Sequence, residues 1–422
     1  MIPFIKRLFK SIGPGFITGA ADDDPSGIAT YSQTGSIFGY TQLWTAPFSL
    51  PFMIAVQEMC GRIGMVTGSG LSGVIKRFYS KPVLYIAVLL LVVANAINIG
   101  ADLGAMAAAV TLLIPANSTV ILLGITLFTL LLEILVPYPL YARFLKYLTL
   151  SLLAYVAVAF MVMIDWTTVA RYTFVPHIEL SKVYILNIAA LLGTTISPYL
   201  FFWQADEEVE EEIAGGKIVS EGVGIPQVTK KDMAGMRLDT AVGMIFSNTI
   251  TFFIILTAAA TLGTTGHTID TAAKAAEILR PLAGDFAFLL FTLGILGTGL
   301  LAVPVLAGSA AYAVSEAVGW KAGLGLKFSK AKSFYLVIVA TTCIGLLVNF
   351  LSIPPMTLLY YAAAINGMLA PPLLVLILLI GNNKQILGHR TNGWLSNTLG
   401  IIITLIMAVI AIALIASLLG FF

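Results

Sequence analysis

The chain reads as an all-α polytopic membrane protein with eleven transmembrane helices, arranged as two inverted repeats of five spans (5+5) plus one extra helix, with helices 1 and 6 broken. Three observations predict this. Hydrophobic residues fill 59% of the 422 positions and charged residues only 10%, a balance foreign to soluble enzymes and disordered chains. The hydropathy cuts into apolar stretches of about 20 residues, the length that spans a bilayer. Glycine, proline and polar residues interrupt the first and the sixth of these stretches. No polar interval is long enough to build a core of its own, so residues 1–422 are expected to form a single transmembrane domain.

Span one, at 13–38, begins too late and is too acidic for a cleavable signal peptide. It carries Asp22-Asp23-Asp24-Pro25-Ser26-Gly27. Span two covers 43–65; its Glu58 and Arg62, four apart, form a stabilising helix pair. Span three covers 83–113 and contains Asp102. Span four, at 120–135, carries Glu133 near its predicted outer end, where snorkelling toward water outweighs a pathway role. Span five covers 144–164. Span six, at 183–205, contains Gly193-Thr194-Thr195-Ile196-Ser197-Pro198-Tyr199 and runs into the acids of 206–212. That run reads as a solvated helix extension stopped by Gly215-Gly216, with electrostatic focusing of cations as a lesser alternative. Spans seven, eight and nine cover 234–262, 286–313 and 334–351. Span ten, at 356–380, carries Asn366, an amide with two uses open to it, completing an ion's hydration shell or bridging two helices. Span eleven covers 395–419. Spans one to five (13–164) form the first repeat, spans six to ten (183–380) the second, and 395–419 is the extra helix.

Charge asymmetry sets the orientation. With the amino terminus inside, every one of the 23 basic residues except Arg171, Lys182, Lys274 and Arg280 falls on the cytoplasmic side, as the positive-inside rule requires. A missed span would scramble that alternation. The expected location is the cell membrane, with the carboxyl terminus outside. Cys60 and Cys343 have no metal-ligand or disulfide spacing and read as packing residues. His177, His267 and His389 fall in loops, which argues against a histidine-built metal site in the membrane.

The acidic trio needs a reason, because each carboxylate at mid-membrane depth costs roughly 2.5 to 3.5 kcal/mol. A cation pathway supplies one. Pro25 removes a backbone donor and Gly27 loosens the helix, freeing carbonyls and amides beside the carboxylates. Such backbone survives at depth only where protein or a wet cavity surrounds it. A lone kink in a membrane helix is more often structural, but this one carries Asp24. The break in span six has only hydroxyls, and its case rests on pairing with the first. Five spans per repeat put the two breaks in opposite orientations, the sequence pointer to a midplane site in an inverted-repeat transporter.

These residues resemble the natural resistance-associated macrophage protein (Nramp) family of divalent-metal transporters. Gly13-Pro14-Gly15-Phe16 followed by Asp24-Pro25-Ser26-Gly27 matches the family's opening at the same spacing, and the likeness continues through Gly64-Met65-Val66-Thr67-Gly68, Asp102-Leu103 and Gly193 to Pro198. The resemblance implies a LeuT-type fold, alternating access, and a divalent cation held between helices 1 and 6. In the family's transition-metal carriers the ligands are an aspartate and an asparagine of span one, with an alanine carbonyl and a methionine sulfur of span six. Here Asp24 matches the aspartate, whereas Gly27, Thr194 and Ser197 stand at the other three positions. Loss of the soft thioether leaves oxygen chemistry suited to magnesium, calcium or manganese. Loss of two large side chains predicts a wider cavity, which Asp22 and Asp23 make more hydrophilic. A roomy acidic site suits magnesium, which keeps several of its waters. The departures are similar to the Nramp-related magnesium transporter branch.

The family's proton route is also thinned. Tyr199 replaces a histidine after the span-six proline, Ala105 replaces an acid one turn beyond Asp102, and 334–351 holds no Lys or Arg. Of that route Asp102 alone matches. The expectation is weak or absent proton coupling, with flux driven by a membrane potential worth roughly 4.6 kcal/mol per 100 mV for a divalent ion. The expected cargo is Mg2+, with Mn2+ also carried, and the expected partners are that ion and the lipid bilayer, with no nucleic acid and no resident cofactor. Competing readings are a proton-coupled Mn2+/Fe2+ transporter and a LeuT-type organic solute carrier, although three carboxylates would repel a substrate's carboxylate. A non-transporting metal sensor has no appended domain to signal through, and no catalytic arrangement suggests an enzyme.

Overall fold

The computed structural model describes residues 13–136, 140, 149–179, 181–224, 226–263, 269–351 and 353–419. These are helical almost throughout; the one β-bridge among them pairs Ser220 with Val223. In chain order the main helices are α1 (Pro14–Asp22), α2 (Pro25–Phe38), α3 (Thr45–Thr67), α4 (Leu71–Phe78), α5 (Lys81–Thr111), α6 (Ser118–Leu135), α7 (Leu153–Met161), α8 (Trp166–Phe174), α9 (Lys182–Thr195), α10 (Pro198–Ala214), α11 (Lys230–Thr261), α12 (Ala287–Val318), α13 (Lys332–Val348), α14 (Pro355–Asn382) and α15 (Trp394–Leu418). Eight stretches of the described residues are long and apolar enough to cross a membrane. The other three expected spans fall short for identifiable reasons. Span one is divided into α1 and α2 by its break, span two carries Gln57, Glu58 and Arg62 within α3, and span five lies partly outside the described residues.

Both interruptions fall where proline and glycine place them. The helix stops after Asp22 and restarts at Pro25, and stops again after Thr195 and restarts at Pro198; each proline takes the first helical position, where no amide is needed. Around the breaks, α11 lies along both α1 and α2, α14 lies along α9, and α3 lies along α10 and α11; α5 packs on α12, α13 and α14. Small residues let these backbones close up. A methyl group on Gly193 would stand 2.0 Å from the Ala363 carbonyl oxygen, and one on Gly19 would stand 2.3 Å from that of Gly243. The outward faces carry large apolar side chains such as Leu89, Leu127, Leu347 and Ile412, as contact with lipid requires.

Several expectations need correcting. The acidic run does continue a helix, and α10 does end at Gly215, but it is a solvated face only in part: Glu211 is exposed and Glu210 half-buried, whereas Asp206, Glu207, Glu208 and Glu212 are buried. Glu133 is buried too, with neither carboxylate oxygen hydrogen-bonded, so it does not snorkel. It lies two residues before the end of α6, on the side of the Arg143–Lys146 segment, which in the predicted orientation is the inner end and not the outer one. Cys60 is a core residue as expected, but Cys343 is exposed on α13. The Glu58–Arg62 pair forms at 3.1 Å and is extended by Arg237, 2.9 Å from Glu58. His177 follows α8 in a loop, and His267 lies outside the described residues.

Candidate metal site

Local chemistry explains how the chain tolerates being unwound at the breaks. Asp24 caps α2: one oxygen accepts from the Gly27 amide and the Ser26 hydroxyl, both at 2.7 Å. Its other oxygen accepts from Asn98 of α5 at 2.8 Å. At the second break Ser197 turns its hydroxyl back onto the carbonyls of Gly193 (2.6 Å) and Thr194 (2.8 Å). Tyr199 donates to the Ala21 carbonyl at 2.9 Å, so α10 satisfies a group that α1 frees. Carboxylate and carbonyl oxygens keep lone pairs beyond those the hydrogen bonds occupy, so Asp24, Thr194 and Ser197 all remain able to accept a cation.

The two breaks meet. The Ser26 hydroxyl lies 3.5 Å from that of Thr194, and a side chain begun at Gly27 would stand 3.3 Å from the Thr194 hydroxyl. Asn98 links Asp24 to Asp102, 3.2 Å away, and Asn366 of α14 donates to Asn98 at 3.1 Å. Asn366 thus acts as a bridge between helices. Asp24, Gly27, Thr194, Ser197 and Asp102 therefore form one buried cluster, with Tyr199 beside it. Asp22 and Asp23 turn to α11, where both accept from Ser247; the remaining oxygen of each, like one of Asp102, has no partner. Glu133, on α6, joins none of these contacts, and both its oxygens are without a partner. The expected widening of the cavity is not seen: the Tyr31 ring fills the corner beside Gly27, 3.1 Å from where its side chain would begin.

Hydrogen-bond networks lie on either side of the cluster. On the side of the amino terminus, Thr18 donates to Gln204 at 2.7 Å and Gln204 to Glu208 at 2.9 Å, while Asp239 accepts from the amides of Gly13 and Gly15 at the start of α1. Below this network opens a cavity of about 450 Å³ lined by Glu208, Glu211, Glu212, Asp232 and Asp239. On the opposite side, Asn187 donates to Gln42 (2.6 Å) and Thr34 (3.0 Å) and accepts from Tyr360 (3.0 Å). Sequence reading missed Asn98, Ser247, Gln204 and Asn187. The one available signal was their type, since amides and hydroxyls inside apolar spans must find partners.

Two broken helices abutting around buried carboxylates, flanked on either side by separable networks, define a multi-pass membrane transporter of the LeuT fold class. Solved structures share that fold: the manganese transporter of Eremococcus coleocola superposes with a TM-score of 0.74 at 16% identity, covering 99% of this chain and 89% of that one. Inward-facing Mhp1 gives 0.55 at 14% identity, covering 96% and 90%. Residues 15–417 match the family model described as natural resistance-associated macrophage protein-like. The chain belongs to the Nramp family. Among its relatives, the divalent metal cation transporter MntH of Caldanaerobacter subterraneus is 23% identical over 413 residues, covering 94% of this chain and 91% of that protein. MntH of Yersinia pestis is 28% identical over 313 residues, covering 71% and 70%.

Proposed function

We propose that the protein carries hard divalent cations across the cell membrane, Mg2+ foremost and Mn2+ as well, by alternating access with a partly hydrated ion between the α1/α2 and α9/α10 breaks. The observation that carries this reading is the chemistry around Asp24. Its neighbours at the junction, Ser26, Thr194, Ser197 and the freed carbonyls, offer oxygen alone, where a soft ion would call for sulfur. In the orientation the basic loops predict, the acid-lined cavity faces the cytoplasm. Opening the Thr18–Gln204–Glu208 network releases the ion inward, and opening the Asn187–Gln42–Tyr360 network admits it from outside. A neutral hydrogen bond is worth about 0.5 to 1.5 kcal/mol and one to a carboxylate such as Glu208 about 1.5 to 3, so a seal of two or three bonds is commensurate with the roughly 4.6 kcal/mol that 100 mV supplies to a divalent ion. Because α11 of the second repeat (183–380) lies along α1 and α2 of the first (13–164), the body that moves would mix helices of both repeats within an eleven-span chain.

Proteoliposome uptake should run in the order Mg2+ and Mn2+ well above Cd2+. Cd2+ transport as fast as Mn2+ contradicts the hard-ligand reading. A second reading, proton-coupled manganese transport, is favoured by one observation: Asp102 has an unpartnered buried oxygen and shares Asn98 with Asp24, a short route for a proton beside the ion. The manganese transporter of Eremococcus coleocola and the MntH relatives fit it equally. Internal pH recorded during Mn2+ uptake separates the two. The potential-driven reading expects no acidification and no effect of Asp102→Asn on proton flux, whereas acidification in step with uptake that Asp102→Asn abolishes establishes the coupled one.

A further inference from the structure

Away from the breaks, Asp206 of α10, Glu221 of the 215–229 loop and Glu316 of α12 each bring a carboxylate oxygen within 4.8 Å of the other two. Asp206 is 1% exposed, and neither of its oxygens has a hydrogen-bond partner; Glu221 Oε1 is likewise buried and unpartnered. Glu316 is fixed by the start of α4, accepting from the amides of Gly70 (2.7 Å) and Gly73 (2.9 Å). A methyl group on Gly70 would fall 1.7 Å from Asp206 Oδ1, so glycine there is what lets the carboxylate in. The cations at hand do not neutralise the trio. Lys76 donates to the Glu316 carbonyl and Arg77 to that of Gly222, and no ion pair among the described residues reaches any of the three carboxylates.

Three clustered carboxylates buried without a counter-charge are unfavourable, and a small divalent ion removes the difficulty at once. Oxygen ligands sit about 2.0 to 2.6 Å from such an ion and so at most about 5 Å from one another, which matches the spacing here. We infer that Asp206, Glu221 and Glu316 form a second binding site for a hard divalent cation, separate from the transport site, which clamps α10 to α12 on the face predicted to be cytoplasmic. Since α10 is the inner half of a broken span, the clamp holds the inner mouth shut when the ion is abundant on that side. The binding claim stands without the proposed function; the consequence for transport rests on it.

The test counts Mn2+ bound to the purified full chain from the loss of the free-ion paramagnetic resonance signal. The wild type is expected to bind two ions, Asp206→Asn/Glu221→Gln one, and Asp24→Asn one. Glu221→Gln alone, in a loop, should give the same loss and guards against disturbance of α10. A double variant that keeps the wild-type count overturns the second site and leaves the transport site standing. A count lowered by the double variant but not by Asp24→Asn supports the second site and sinks the transport site. In proteoliposomes, Mn2+ on the cytoplasmic face should slow wild-type uptake about tenfold, a usual size for coupling between sites, and should not slow the double variant. Equal slowing of both proteins overturns the clamp.

Discussion

Asp24→Asn is expected to lower Mg2+ and Mn2+ uptake by at least about 100-fold, because supporting residues alone cost 10- to 100-fold in metal affinity and Asp24 is proposed as a ligand. The asparagine separates two jobs that the aspartate performs. As a cap it accepts from the Gly27 amide and begins α2, a role asparagine fills equally well; the amide nitrogen that replaces the second oxygen loses the bond from Asn98, so the variant should be destabilised by about 1 kcal/mol while still folding. As a ligand it supplies the negative charge, which asparagine lacks. Asp24→Ala loses both, and should add a stability loss of about 1 kcal/mol to the same transport defect. Flux and thermal unfolding measured on the same preparations check the pair. Full-rate uptake by Asp24→Asn would mean that the carboxylate is there to start a helix and nothing more.

Gly193→Ala is expected to be strongly destabilising. The added carbon would lie 2.0 Å from the Ala363 carbonyl oxygen and 2.3 Å from the Gly367 amide nitrogen. Both are backbone atoms within a helix, so no side chain can swing away, and α9 must separate from α14. Overpacking of this kind costs about 3 kcal/mol or more. Separation also draws Thr194 away from Gly27 and breaks the meeting of the two spans, so surviving protein should transport poorly. Detergent-solubilised yield and unfolding temperature, compared with those of Gly235→Ala, where the added methyl meets nothing within 4 Å, provide the measurement. Equal behaviour of the two variants would contradict the packing described here.

What was legible in the sequence was local. Pro25 and Pro198 place the helix restarts because a proline at the first turn needs no amide, and glycine beside hydroxyls marks the unwound residues; both breaks fall where those residues stand. Long apolar stretches located the spans for the same reason, since a bilayer demands them one at a time. What could not be read was which polar groups meet. Asn98 joins Asp24 across 74 positions, and Ser247 joins Asp22 across 225; neither separation leaves a period in the sequence. The acidic run misled because a row of charges ordinarily faces water, and only the packing of α10 against α3, α4 and α12 turns Asp206 and Glu208 inward. The predicted enlargement around Gly27 failed similarly, because Tyr31, one turn on, occupies the space that a missing side chain leaves.

If the ion sits at the junction of the two breaks, diffraction at the manganese absorption edge from crystals soaked in Mn2+ should give an anomalous peak about 2.0 to 2.6 Å from the Asp24 carboxylate, facing Thr194 and Ser197. A protein that transports Mn2+ yet shows its peak elsewhere, with Asp24 bonded to Gly27, Ser26 and Asn98 alone, would contradict it.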